Sequence, residues 1–171
     1  GVTDIADLKP IRDNLYVWRG DITTLKVDAI VNAANSQMIG CFMPCHGCID
    51  NAIHTYAGIQ LRLACNEVVE KQEVPEPTGK AKITPAFNLP SKYVIHTVGP
   101  IWSGGRNHEH ELLASCYFNS MQLAMDNGIR SIAFPSIATG VYGYPVDMAA
   151  KVAVRTVVRF LKEHTEAFDL V

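Results

Sequence analysis

Two kinds of apolar patterning alternate along this 171-residue chain, and that alternation constrains the fold more than any other feature. Short runs of strand composition stand at Leu15-Tyr16-Val17-Trp18, Ala29-Ile30-Val31-Asn32, Ala81 to Ala86, Tyr93 to Val98 and Ser131-Ile132-Ala133-Phe134. Between them lie stretches in which apolar residues recur every three or four positions. Ile49 to about Gln72 is one, carrying Ile49, Ile53, Tyr56, Ala57, Leu61, Ala64 and Val68 at that spacing. Glu111 to Asn127 is the second and stops at Gly128, while Val146 to Glu163 is the third and opens after Pro145. Strands repeat with period two and helices with period 3.6, so a chain that switches between the two builds both in turn. The pattern predicts an α/β sandwich around a largely buried sheet. Phe168 to Val171 reads as the start of a further strand.

No linker, repeat or low-complexity tract divides the chain, so it reads as one domain over 1–171, with 1–14 as a leader and a trimmed N-terminal extension and last strand as an expectation. The hydrophobic fraction of 48% supports a sizeable core and excludes a disordered chain. A net charge of −2 argues against nucleic-acid binding through bulk charge. No apolar run approaches the roughly 20 residues a membrane crossing needs, and Gly1-Val2-Thr3-Asp4 does not open a signal peptide. A cytoplasmic monomer without nucleic-acid or membrane partners is the expectation.

Five cysteines are present, and three fall between Cys41 and Cys48. The segment reads Gly-Cys-Phe-Met-Pro-Cys-His-Gly-Cys-Ile-Asp over residues 40–50. Thiolates and an imidazole within one tight loop suit zinc, which takes soft and borderline donors without geometric preference of its own. No second cysteine pair exists to close a four-ligand structural site, and the neighbours Cys45 and His46 are poorly placed to reach one ion together. Cys41, His46 and Cys48 with an open fourth position are therefore favoured; a closed site would add Cys45. Two thiolates would cancel the charge of the ion and suit it to positioning an oxygen. Cys65 and Cys116 sit in helical patterns and read as core. His108 and His110 read as part of a solvated loop over Trp102 to Glu109.

In open α/β sheets ligands gather beyond the carboxyl ends of strands. Four polar or glycine-rich segments occupy such places: Gly20-Asp21-Ile22-Thr23, Asn32-Ala33-Ala34-Asn35, the cysteine loop, and Ser136-Ile137-Ala138-Thr139-Gly140-Val141-Tyr142-Gly143. Backbone N–H groups in a loop like the last can hold phosphate oxygens without a basic side chain, although a plain connecting turn has the same composition.

Taken together, these segments resemble the signature of macrodomains, three-layer α/β/α modules with a mixed, mostly parallel central sheet that bind ADP-ribose. The resemblance runs from about Leu15 to Val171. Asp50-Asn51-Ala52-Ile53-His54 with Ala57-Gly58 is similar to the MacroD-type hydrolases. The cysteine–histidine insert resembles the zinc-dependent macrodomains, in which Cys41, His46 and Cys48 match the zinc ligands and Cys45 is a bystander. The resemblance implies a zinc-dependent mono-ADP-ribosylhydrolase acting on mono-ADP-ribosylated proteins, with an ADP-ribose reader or an O-acetyl-ADP-ribose deacetylase as alternatives. It assigns Asp21 and the Ile22 backbone to adenine, although Asp21 also suits a turn cap. Asn32 and Asn35 go to ribose hydroxyls, with Asn32 alternatively holding loops together. Ser136, Ile137, Ala138, Thr139, Gly140 and Val141 cradle the diphosphate, and Tyr142 packs beside the distal ribose or in the core. Asp50 orients or deprotonates the nucleophile or caps its helix, Asn51 and Asn35 assist at the distal ribose, and His54 reads as structural.

Overall fold

The structure, a computed structural model, describes residues 10–12, 14–36, 38 and 48–171. In chain order the elements are β1 (Pro10–Arg12), β2 (Leu15–Tyr16), β3 (Ala29–Ala33), α1 (Ile49–Ala57), α2 (Ile59–Gln72), β4 (Ala81–Pro85), β5 (Tyr93–Thr97), α3 (Glu109–Asp126), β6 (Ile132–Ala133) and α4 (Val146–Glu163). The main sheet has the order β4-β5-β3-β6. β3 runs parallel to both β5 and β6, and β4 pairs antiparallel at the edge. Ala29 stands opposite Tyr93 and Ala33 opposite Thr97.

The period of two sorts the strand side chains onto two cores. Ala29, Val31 and Ile95 meet Leu113, Met121, Val157 and Phe160 from α3 and α4. Ile30 and Val94 meet Ile53, Ala57, Leu61 and Cys65 from α1 and α2. Both faces of the sheet are thus covered, which is why adjacent residues of its central strands, Ala29-Ile30-Val31 and Val94-Ile95, are apolar rather than alternating with polar ones. The three layers and the mixed, mostly parallel sheet are as the sequence predicts. Cys65 and Cys116 are fully buried, as expected.

Several boundaries differ from expectation. The helical stretch from Ile49 to Gln72 is two helices, broken at Gly58 with φ of 93°. A side chain is strained at that φ, and a Cβ there would also lie 3.1 Å from Asn88 Nδ2. Ile53, Ala57, Leu61 and Cys65 keep a four-residue spacing across the break, so periodicity alone runs through it. Tyr56, expected on the apolar face, is instead exposed. Regular structure also begins before Leu15, because Pro10–Arg12 pairs antiparallel with Leu15–Tyr16. The expected last strand is present as a single parallel bridge between Ser131 and Leu170, supported by the Tyr16 N–H donating to the Val171 carbonyl at 2.9 Å.

α3 starts at Glu109 rather than Glu111, and His110 lies on the helix rather than in the loop. The Glu109 carboxylate accepts the N–H groups of Ser103, Gly105 and Asn107, which folds the preceding loop onto the helix start. Burial pushes this carboxyl up, but the backbone donors outweigh it and hold it below its ordinary range. His110 Nδ1 lies 2.6 Å from the Tyr144 hydroxyl and its ring meets Trp102 edge-on, so it is spoken for within the fold. Among the described residues no helix is long and apolar enough to cross a membrane.

Candidate functional site

The parallel strands β3, β5 and β6 all end on the same side of the sheet, and the residues that follow them line a cleft there. Two cavities of about 450 and 650 Å³ adjoin, sharing Ile49, Pro135 and Ser136. The smaller is walled by Trp18, Arg19, Asp21 and Ile22 among others. The larger is lined by Ala33, Ala34 and Asn35 after β3, by Gly99 after β5, by the 138–142 segment after β6, and by Cys48 and Asp50 at the start of α1.

At the first end, Asp21 caps the short 3-10 turn Ile22–Thr24. Its Oδ1 accepts from the Thr23 N–H at 2.9 Å and the Thr23 hydroxyl at 2.6 Å. Both readings of this residue are therefore compatible, since one oxygen serves the turn while Oδ2 and the Ile22 N–H have no partner among the described residues. A Cβ on Gly20 would lie 2.1 Å from the Trp18 ring, so glycine lets the indole close this wall.

The 136–142 segment joins the two ends. Thr139 Oγ1 donates to Ser136 Oγ at 2.9 Å, and the Tyr144 N–H donates to the Ala138 carbonyl at 2.9 Å. Ala138 has φ of 67°, and Gly143 closes the turn on the Gly140 carbonyl. Among the described residues the N–H groups of Ala138, Thr139, Gly140 and Val141 find no acceptor. Unfilled backbone donors along a cleft form an anion-binding surface. Tyr142 lines the cleft half-buried, and its carbonyl accepts from the Trp102 N–H.

At the second end, Asp50 is 2% exposed yet lines the larger cavity. Its Oδ1 accepts from Asn32 Nδ2 at 2.8 Å and lies 3.4 Å from His54 Nε2. Asp50 sits in the first turn of α1, while Cys48 holds the N-cap position, so helix capping is not its role. Asn35 lines the cavity with its Oδ1 accepting from the Met38 N–H. Asn32, expected among the ribose contacts, is instead fully buried beneath the cleft and bonded to Asp50. The reason is strand register: residues 29, 31 and 33 face α3 and α4, which turns Asn32 towards α1. Asn51, expected beside the distal ribose, is half-buried on α1 and lines neither cavity.

Two groups bear on metal binding. Cys48 lines the cavity beside Asp50, and its proposed partners Cys41 and His46 lie outside the described residues, as does Cys45. Two thiolates and an imidazole suit zinc in kind, and Cys48 is placed where such an ion would meet the cleft. A second cluster, His54, Cys65 and His96, brings its ligand atoms within 4.8 Å of one another in the core. Burial, aided by the Asp50 charge, pushes the Cys65 thiol up to about 12. The His96 nitrogens already meet Asn32 Nδ2 at 3.2 Å and Thr84 Oγ1 at 2.9 Å. Within it Cys65 and His96 are held neutral by burial and His96 is already hydrogen-bonded, while neither His54 nitrogen has a hydrogen-bond partner among the described residues.

Trp18, Arg19, Gly99 and the Thr84–His96–Asn32 contacts were not anticipated from the sequence. Gly99 carries a usable signal, since Gly-Pro directly follows a strand. A Cβ on Gly99 would lie 2.8 Å from Ile137 Cγ2 and 3.0 Å from Ala138 Cβ. Ile137 is fully buried and has nowhere to yield. Gly99→Ala is therefore expected to destabilise the protein by about 1–3 kcal/mol, the usual cost of overpacking. Urea unfolding measures this, and an unchanged midpoint would refute the contact.

The chain matches the Macro domain family over residues 31–153. It is 56% identical over 176 residues to a protein-ADP-ribose hydrolase of Treponema medium, covering 100% of this chain and 67% of that protein, so it spans about two thirds of that relative. It is 51% identical over 154 residues to an O-acetyl-ADP-ribose deacetylase of Citrobacter koseri, covering 90% of this chain and 84% of that one. Among solved structures, the Oceanobacillus iheyensis macrodomain with ADP superposes with a TM-score of 0.83 at 45% identity, covering 91% of this chain and 81% of the other.

Proposed function

The chain belongs to the macrodomain family, and from that premise we propose that it binds ADP-ribose along the cleft and, with zinc, hydrolyses the bond joining the distal ribose to a modified protein side chain. One observation carries this reading: two adjoining cavities have an acceptor carboxylate at each far end and unfilled backbone donors between them. That order of acceptor, donors, acceptor complements an adenine amine, a diphosphate and a ribose in sequence.

Asp21 Oδ2 accepts the exocyclic amine of adenine, and the Ile22 N–H donates to the ring. The N–H groups of 138–141 receive the diphosphate, which explains how an acidic protein holds an anion. Asn35 and Tyr142 fix the distal ribose. Cleavage gives the anomeric carbon oxocarbenium character, so a water held at that carbon and an oriented sugar supply most of the help needed. Asp50, fixed by Asn32, orients that water and takes its proton as the water oxygen bonds to the anomeric carbon. The bond from that carbon to the protein side chain breaks, the side-chain atom leaving with the bonding electrons and taking up a proton from solvent where its basicity requires one. A zinc ion held by Cys41, His46 and Cys48 would supply a fixed point for a distal-ribose or scissile oxygen.

The test is incubation with a mono-ADP-ribosylated protein, following release of ADP-ribose with and without a chelator. Turnover that falls with chelation and returns with zinc is expected. Binding without turnover would make the chain a reader, and turnover indifferent to chelation would remove zinc from the mechanism. The Citrobacter koseri relative favours a second reading, in which the same cleft accepts O-acetyl-ADP-ribose. The same assay with that ester decides it.

A further inference from the structure

The polar groups beneath Asp50 form a chain with a fixed direction. Asp50 Oδ1 is an acceptor, so the Asn32 side chain presents its Nδ2 to it, at 2.8 Å. That amide nitrogen carries two N–H bonds, and the second reaches His96 Nδ1 at 3.2 Å. Nδ1 must then offer a lone pair, which places the imidazole proton on Nε2. That N–H donates to the Thr84 hydroxyl at 2.9 Å, with Cys65 Sγ 3.5 Å from Nε2. Every member from Asn32 to His96 is buried, and β3, β5, β4 and α2 contribute one residue each to the set.

We infer that His96 is a positioning residue for the proposed hydrolysis: as a neutral Nε2–H imidazole it sets the orientation of the Asn32 carboxamide, and through it holds Asp50 Oδ1 so that the carboxylate keeps one presentation to the cleft. This rests on the functional reading given above. The neutral state is secured by burial and by the neighbouring His54, which together bring His96 down to about 3 against the pull of Asp50. A doubly protonated ring would turn an N–H towards the Asn32 N–H and break the chain at its first link. His54 flanks the same carboxylate oxygen from the other side, at 3.4 Å, and leaves the orientation of Asn32 to His96.

Two variants with the same branched shape and number of side-chain heavy atoms separate positioning from packing. His96→Leu removes the acceptor, and His96→Asn keeps an oxygen at the place of Nδ1. With a mono-ADP-ribosylated protein as substrate, His96→Leu is expected to lower kcat by roughly 10- to 100-fold, the scale of a small misplacement of a reacting group, with KM and ADP-ribose affinity little changed. His96→Asn is expected to recover most of the loss. Equal kcat in the native and His96→Leu proteins overturns the proposal, as does an Asn variant as impaired as the Leu variant. A second measurement needs neither variant nor turnover: nitrogen NMR of histidine-labelled native protein is expected to show His96 protonated at Nε2 alone from pH 5 to 8. A proton on Nδ1 overturns the inference even if hydrolysis is observed. Absence of hydrolysis with the expected spectrum overturns the functional reading and leaves the orientation of Asn32 standing.

Discussion

Asp50→Asn is expected to lower release of ADP-ribose from a modified protein by roughly 100-fold or more, while ADP-ribose affinity stays within a few-fold. The asparagine is the informative replacement. It keeps an oxygen that can accept from Asn32 and removes the carboxylate oxygen that serves the nucleophile. Asp50→Ala would be less clean, because it strands one of the two Asn32 Nδ2 hydrogens, the other being held by His96 Nδ1, and costs about 1–3 kcal/mol of stability besides. Single-turnover kinetics separates the chemical step from binding, and calorimetry with ADP-ribose reads affinity alone. Turnover within a few-fold of native would remove Asp50 from the mechanism. Loss of affinity in step with turnover would make it a ribose contact.

The second large effect is at the opposite end of the cleft. Asp21→Ala is expected to weaken ADP-ribose binding by about 1–3 kcal/mol, up to roughly 100-fold in Kd, the scale of a hydrogen bond to a charged group. The turn complicates the reading, because Asp21 Oδ1 also holds the Thr23 N–H and hydroxyl. Asp21→Asn resolves this. It retains an acceptor for Thr23 but places an amide donor against the adenine amine, so it should spare the turn and still lose affinity. Titration with ADP-ribose and with ribose 5-phosphate, which lacks adenine, checks the assignment. Unchanged ADP-ribose affinity in both variants would sink the adenine role.

Much of the fold was legible because the signals are local. A helix over 146–163 follows from Pro145 at its entry and from Ala149, Val157 and Phe160 on one face, and α4 has those bounds. β5 follows from the strand composition of Tyr93-Val94-Ile95, where adjacent Val94 and Ile95 are apolar as a doubly covered strand needs. Gly58 was not legible as a helix break, since the apolar spacing continues across it. The capping of the 3-10 turn by Asp21 and the entry into α3 through Glu109 were hidden for another reason. Each depends on a side chain turning back onto the backbone, and composition does not reveal direction.

The site divides in the same way. That Asp21, Asn35, Asp50 and the 136–142 segment would meet was readable from motif order, because each follows a strand or opens a helix. The division of labour between Asn32 and Asn35 was not. They lie three residues apart in one motif, yet one is fully buried beneath Asp50 and the other lines the cleft.

By itself the sequence determined the alternation of layers, the burial of Cys65 and Cys116, and the chemical character of the cleft, since these depend on periodicity and on residue type. Only the tertiary structure decided what holds Asp50. Its partner Asn32 is 18 residues away, and His96 lies a further 64 from Asn32. They meet because β3 and β5 pair in parallel with Asn32 opposite His96, and α1 packs over that pair. Strand order and register arise from the packing of the whole sheet, and no spacing along the chain encodes them.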